Sequence, residues 1–190
     1  MRHRVVLNIA IYNWYSMITV LSCTNREHNL TRILAEFYHQ SLISLGAESK
    51  LLDFRYIPEH MLSHNPVFNG KSVEMQQIAD EYIHPSEKFV FIIPEYNGSY
   101  PGILKVFIDG MKPEWFAHKK AALVGMSTGR AGNLRGMDHL TDVLMYLNMQ
   151  VMNNRLPISR FHTLLHEHKE ISDPYTLSAL QIHQKQVLNF

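Results

Sequence analysis

Apolar residues follow two different spacings that alternate along the chain. Short apolar or β-branched runs predict five strands, in residues 18–21, AESKLLDF, KFVFIIP, KKAALVGM and, more weakly, MQVM. Residues with helical spacing predict helices over residues 30–45, SVEMQQIADEYI, residues 102–111, 134–147 and 174–190. Strands that alternate with helices favour a parallel sheet covered on both faces. KFVFIIP is the most continuous apolar run, and we expect it at the centre of that sheet.

The chain is predicted to form one domain over residues 17–190, a doubly wound three-layer α/β/α sandwich. A chain of this length buries about 70% of its unfolded surface, which is enough for one large core. Residues 55–70 contain two prolines and little periodicity, so they are predicted to form a loop. The chain shows no internal repeat and no low-complexity segment.

The first segment, MRHRVVLNIAIYNWYSMITVLSC, begins with basic residues and then becomes apolar. A secretory or lipoprotein signal is one interpretation. Against it, Asn8 and Asn13 interrupt the apolar run, and the Val-Leu-Ser before Cys23 fits a small-residue cleavage site poorly. Met17 also opens the first predicted strand, which argues against a signal that continues to Cys23. We therefore favour a cytoplasmic protein. Residues 1–16 would then be a non-essential extension upstream of a natural start.

Composition narrows the class of partner. Apolar residues make up 46% of the chain, charged residues 18%, and the net charge is +1. Since there is no basic excess to hold a phosphate polymer, we do not expect nucleic acid as a partner. A membrane partner is not expected either. Cys23 is the single cysteine, which rules out an internal disulfide and fits a reducing compartment.

In a sheet of this kind, ligands bind beyond the carboxyl ends of the strands. The loop after the first strand, SCTNREHNLT, leads into a helix and is rich in short polar side chains. Hydroxyl groups, an arginine and free helix amides suit a phosphate group. The alternative is that Asn29 only caps the helix.

The loop after the third strand, PEYNGSYPG, is longer than a plain connection of roughly 2–6 residues. Asn97-Gly98 is a turn dipeptide, and such a turn can direct consecutive N–H groups at a planar ligand. An ordinary turn before a helix that begins at Pro101 is the alternative. The loop after the fourth strand, STGRAG, contains Gly129 and Gly132, which let the backbone approach a ligand closely. A Ser/Thr cap with flexible glycines would explain it equally well.

Several other kinds of site find little support. The motifs GxxxxGK[ST] and GxGxxG do not occur, and Ser127 does not lie in GxSxG. Cys23 has no CxxC partner, so we interpret it as a small space-filling residue. His162, His166 and His168 in HTLLHEH are spaced like metal ligands. We interpret them as a solvated polar stretch and expect no metal.

The segment PEYNGSYPGILKVFIDG, residues 94–110, resembles the NADPH-dependent FMN reductases of the flavodoxin-like superfamily. These include quinone, azo-compound and chromate reductases. The resemblance extends over residues 17–190: the first loop is similar to the family's phosphate loop and the third to its Gly-rich segment. It implies a flavodoxin-like doubly wound five-stranded parallel sheet of order 2-1-3-4-5. Five positions depart from the family pattern: Cys23, Asn29, Thr31, Val106 and Gly110.

The resemblance also implies roles for residues of all three loops. The first loop would hold the FMN phosphate, the second would wrap the isoalloxazine through backbone amides, and the third would line its other edge. The implied cofactor-binding residues are Ser22, Thr24, Arg26, Asn29, Thr31, Pro94, Glu95, Tyr96, Asn97, Gly98, Ser127, Thr128, Gly129 and Arg130. The residues expected to touch substrate are Tyr96, Tyr100 and Arg130.

The implied function is an NAD(P)H-dependent FMN-containing oxidoreductase. Hydride would pass from NADPH or NADH to flavin N5, and then to a small-molecule electron acceptor, namely a quinone, free flavin, azo compound or metal oxyanion. No residue is named as catalytic, because the flavin performs the chemistry. The alternatives are a flavodoxin-type electron carrier, against which the +1 charge argues, and a non-catalytic flavin-binding protein. A homodimer or homotetramer is expected.

Overall fold

The computed structural model describes residues 17–59, 72–166 and 170–190. Three predictions therefore fall wholly or partly outside the described residues. They are the extension over residues 1–16, the loop over residues 55–70 beyond Glu59, and His168. The division of the chain into an extension and a domain stays a prediction.

The strands form one parallel sheet, and the first five lie where apolar runs predicted them, whereas β6 was not predicted. They are β1 Met17–Ser22, β2 Ser49–Asp53, β3 Ser86–Pro94, β4 Lys120–Met126, β5 Gln150–Val151 and β6 Leu156–Ile158. Their order is β2-β1-β3-β4-β5, with β6 also paired to β4. The predicted flavodoxin-like fold and its 2-1-3-4-5 order are confirmed.

The helices follow the predicted spacing closely. They are α1 Thr31–Ser44, α2 Val73–Ile78, α3 Gly102–Gly110, α4 Leu134–Tyr146 and α5 Pro174–Asn189. The second of these continues into a π-helical turn at Ala79–Ile83. No helix among the described residues combines the length and the apolar character needed to cross a membrane.

Two apolar clusters, one on each face of the sheet, explain why residues 89–93 of β3 are all apolar. Phe89, Phe91 and Ile93 pack on the face covered by α2, α3 and α4. Val90 and Ile92 pack on the opposite face, under α1 and α5. Successive strand residues point to opposite faces, so a strand covered on both sides favours apolar residues at successive positions.

The fifth strand is less regular than predicted. β5 contains only two residues and pairs with Lys120 and Ala121, whereas β6 pairs with Val124, Gly125 and Met126. Residues 152–155 separate the two segments. The carbonyl of Asn154 accepts a hydrogen bond from His183 Nε2 at 3.2 Å. The polar residues after MQV thus turn away from β4, and a second short segment restores the pairing.

Candidate functional site

The loops that follow β1, β3 and β4 meet at the carboxyl edge of the sheet and enclose a cleft of about 350 Å³. This volume lies in the range of about 300–1,000 Å³ that is usual for small-molecule sites. The cleft is lined by Arg26, His28, Asn29, Leu30, Thr31, Pro94, Glu95, Tyr96, Met126, Ser127, Thr128 and Phe161. All three loops that the sequence singled out therefore contribute to one site.

The first loop brings polar groups to the start of α1. Asn29 does cap this helix, because its Oδ1 accepts a hydrogen bond from Arg32 N at 2.9 Å. Its Nδ2 donates to the carbonyl of Arg26, which closes the loop on itself. α1 has 14 residues and no acidic side chain in its first turn. The positive end of its dipole is therefore free to stabilise an anion in the cleft.

Ser22 and Thr24 lie beneath the cleft and do not line it. Both are fully buried. The hydroxyl of Thr24 shares a hydrogen bond of 2.6 Å with the hydroxyl of Tyr96 and accepts another from Arg26 N at 3.3 Å. Thr24 thus joins the first loop to the second. Ser22 Oγ has no partner among the described residues.

The second loop contains a tight hairpin turn. Tyr96 N donates to Ser99 O at 2.9 Å, and Ser99 N donates back to Tyr96 O at 3.0 Å. The two central residues, Asn97 and Gly98, have φ of 52° and 75°. Positive φ at both positions defines the turn type that Asn-Gly favours. Since Tyr96 N–H is used inside the turn, the amides left for a ligand are those of Asn97 and Gly98.

The tip of this turn rests against the start of α4. A Cβ atom on Gly98 would lie 2.8 Å from Arg135 Nη1. Ser99 Oγ and His139 Nδ1 are hydrogen-bonded at 2.9 Å, and Asn133 Nδ2 donates to Ile93 O at 3.1 Å. The second loop is therefore held from Thr24 on one side and from α4 on the other.

The third loop is braced by its own serine and by the segment after β6. Ser127 Oγ accepts a hydrogen bond from Gly132 N at 3.0 Å and donates to Gly129 O at 3.1 Å. Ser127 O accepts from Phe161 N at 3.0 Å. The hydroxyl of Ser127 is thus engaged within the loop, and Thr128 presents the exposed hydroxyl at the cleft.

The cleft brings together eight of the predicted cofactor residues: Arg26, Asn29, Thr31, Pro94, Glu95, Tyr96, Ser127 and Thr128. Six others do not line it: Ser22, Thr24, Asn97, Gly98, Gly129 and Arg130. Tyr100, expected to touch substrate, is half-buried against the core. Burial raises the pKa of its hydroxyl, which keeps it neutral.

Sequence reasoning missed four lining residues: His28, Leu30, Met126 and Phe161. His28, Leu30 and Met126 belong to the loops already singled out or border them, so the pattern of three polar loops could have included them. Phe161 follows β6, which the sequence did not predict, and no signal pointed to it.

Cys23 and the histidine segment were weighed as further chemistry. Cys23 is fully buried in the apolar cluster with Leu21, and burial raises the pKa of its thiol well above the usual value. An inert packing role follows. His162 and His166 lie in the described part of HTLLHEH. No metal-binding cluster of His, Cys, Asp or Glu is found among residues 17–59, 72–166 and 170–190.

A parallel sheet of this order with a three-loop cleft at its carboxyl edge defines a flavodoxin-like α/β protein. The solved structure of FerB, a flavoenzyme NAD(P)H:(acceptor) oxidoreductase from Paracoccus denitrificans, has this fold, with a TM-score of 0.72 and 23% identity over 92% of this chain and 96% of that one. A flavodoxin from the domain Archaea has it too, with a TM-score of 0.57 and 14% identity over 91% and 94% of the two chains.

Sequence comparison is more specific. Residues 16–163 match the model of the NADPH-dependent FMN reductase family, and the chain belongs to that family. An NAD(P)H-dependent FMN reductase of Pseudomonas aeruginosa is 40% identical over 76 residues, 38% of this chain and 41% of that protein. A 2-hydroxy-1,4-benzoquinone reductase of a Burkholderia species is 35% identical over 82 residues, 41% and 42% of the two chains. The chain thus spans about two fifths of the length of these relatives.

Proposed function

We propose that this chain is an NAD(P)H-dependent FMN-containing oxidoreductase that reduces a small-molecule acceptor such as a quinone, free flavin, azo compound or metal oxyanion. The observation that carries the proposal is the convergence of three separate loops on one cleft in a chain of the FMN reductase family. An electron-carrier role has less support, because such carriers are strongly acidic and this chain has a net charge of +1.

The groups around the cleft fit FMN. One side offers a cation, an imidazole, an amide and a hydroxyl from Arg26, His28, Asn29 and Thr31, next to the start of α1. These are the groups that recognise a phosphate. Tyr96 lies in the same cleft and offers an aromatic face. The buried Ser22 Oγ, which has no partner in the part of the chain that the structure describes, is a further polar group of the first loop.

Each loop then has a task in the proposed reaction. Arg26, Asn29 and Thr31 would hold the phosphate, and the amides of Asn97 and Gly98 would donate to an electron-rich edge of the ring system. When bound, FMN supplies hydride acceptance at N5 and electron transfer to the acceptor. Oriented N–H donors stabilise negative charge that develops during such a transfer. Tyr96 and Arg130 would contact the incoming substrate.

The test is an absorbance spectrum of the purified protein with FMN, recorded before and after anaerobic mixing with NADPH. We expect bound-flavin bands near roughly 370 and 450 nm that bleach rapidly. Arg26→Gln should weaken FMN binding roughly tenfold, since a charge-assisted contact is lost. Lys185→Gln on α5 is the matched control and should bind FMN normally. Bound flavin that NADPH does not bleach would favour a carrier or non-catalytic flavin-binding protein, and failure to bind FMN would overturn the proposal.

Two further proposals accompany this function. A cytoplasmic location is supported by the single cysteine of the chain. A homodimer or homotetramer is supported by the outer face of α4, where Met145 and Tyr146 are 60% and 85% exposed. Exposed apolar side chains such as these are candidates for a contact between subunits.

A further inference from the structure

Two arginines that stand on neighbouring backbone segments flank the cleft on the side of the third loop. Arg130 follows Thr128 and Gly129, and Arg160 immediately precedes Phe161. Thr128 and Phe161 both line the cleft. Arg130 and Arg160 are not buried, and neither forms an ion pair with any residue in the described part of the chain.

The backbone holds the two arginines together. Arg160 N donates to Gly129 O at 2.9 Å, and Ser159 Oγ donates to Arg130 O at 2.6 Å. Arg160 O in turn accepts from Thr163 N at 2.8 Å. Arg160 also adopts φ 49°, a left-handed conformation that is rare for a residue with a long side chain. A strained residue beside a cleft, fixed by its neighbours, is typical of a functional position.

The charge on this side of the cleft is not compensated nearby in sequence. Between Ser127 and His166 the acidic residues are Asp138 and Asp142, and both lie on α4. Asp138 is already paired with Arg155. The third loop and residues 159–166 therefore contribute positive charge without a carboxylate of their own.

We infer that Arg130 and Arg160 bind the 2′-phosphate of NADPH and make the enzyme prefer NADPH to NADH. The inference rests on the proposed function, because it concerns the electron donor of the same site. Arg26 and the start of α1 lie on the first-loop side of the cleft and serve the FMN phosphate. A second phosphate-bearing ligand would therefore find its cations at the third loop. Two guanidinium groups match a phosphate dianion by charge and by hydrogen-bond geometry.

An adenosine ribose without the 2′-phosphate presents two neutral hydroxyl groups. The two arginines would bind these hydroxyl groups more weakly than a phosphate dianion. Discrimination between NADPH and NADH would thus come from the charge of Arg130 and Arg160 at the edge of the cleft. The nicotinamide end would bind alike in both dinucleotides. Because Arg130 and Arg160 are exposed to solvent, the preference for NADPH over NADH should weaken as the salt concentration rises.

The experiment measures two quantities on the FMN-loaded protein. One is the ratio of kcat/KM for NADPH to that for NADH. The other is the affinity for 2′,5′-ADP relative to 5′-AMP by calorimetry, which requires no turnover. The variants are Arg130→Gln and Arg160→Asn. Asparagine tolerates positive φ, so the second variant removes the charge without adding strain. Lys185→Gln removes a distant positive charge and is the matched control.

We expect each arginine variant to lower the NADPH/NADH ratio and the 2′,5′-ADP advantage by about tenfold, as the loss of a charge-assisted contact predicts. In Arg160→Asn the kcat with NADH and the affinity for FMN should stay at wild-type values, and the control should behave as wild type. A wild-type protein that binds 2′,5′-ADP no more tightly than 5′-AMP would overturn the inference, even if NADPH bleaches the flavin. Loss of bleaching with both dinucleotides would instead overturn the proposed function, while the calorimetric comparison still decides whether the arginines recognise the phosphate.

Discussion

His183 should make the stability of the protein depend on pH. It lies fully buried on α5, where Nδ1 is 2.7 Å from the hydroxyl of Tyr38 and Nε2 is 3.2 Å from the carbonyl of Asn154. A neutral imidazole satisfies both contacts, with Nε2–H as donor and Nδ1 as acceptor. Burial lowers the pKa of His183 from 6.5 to about 4, although the Asn154 carbonyl works in the opposite direction.

The sign and size of the effect follow from this lowered pKa. Between pH 6.5 and about 4 the unfolded chain binds a proton at His183 that the folded chain does not. The contribution of His183 to the free energy of unfolding is therefore fully present above its pKa in the unfolded chain. It is lost as the pH falls towards its pKa in the folded chain. A tenfold change in the acid dissociation constant corresponds to about 1.4 kcal/mol, so the total is about 3 kcal/mol.

The assay is urea denaturation at a series of pH values for the wild type and His183→Gln. The variant cannot titrate at this position. The difference in unfolding free energy between wild type and variant should therefore change by up to about 1.4 kcal/mol per pH unit across the window. His162→Gln is the matched control for loss of one imidazole at the surface. Wild-type and His183→Gln profiles that run parallel through this window would refute the reasoning.

Three other expectations follow from the site. Gly98→Ala places a side chain at φ 75° and should lower the free energy of unfolding by about 1–2 kcal/mol, measured by denaturation. Gly102→Ala is the control, because Gly102 has open space around it, and it should cost nothing. Equal losses in the two variants would contradict the turn argument. Thr24→Val and Tyr96→Phe should each weaken FMN binding, and the double variant should be no worse than either single variant, because the two hydroxyls share one hydrogen bond; additive losses in a binding titration would contradict that coupling. Tyr146→Lys should convert the proposed homo-oligomer to a monomer in light scattering, and an unchanged mass would exclude this face of α4.

The sequence predicted most of the sheet because burial leaves few choices of residue. KFVFIIP favoured a strand covered on both faces, and in a parallel sheet the three polar loops were expected to meet at the carboxyl edge. The sequence could not show that the hydroxyls of Thr24 and Ser127 form hydrogen bonds within the protein. Such contacts depend on the backbone conformation of the folded loops. Phe161 was missed for the same reason, because its position depends on a strand of three residues.

The interruption in the fifth strand also bears on how copies of this chain behave when concentrated. A sheet edge with a long row of unpaired backbone groups invites another chain to pair with it. Here the edge consists of two residues, a polar break and three residues, with Pro157 at the centre of the last segment. Proline has no N–H to offer, and the break prevents an incoming strand from staying in register. The same irregularity that brings Phe161 to the cleft therefore disfavours edge-to-edge pairing at this side of the sheet.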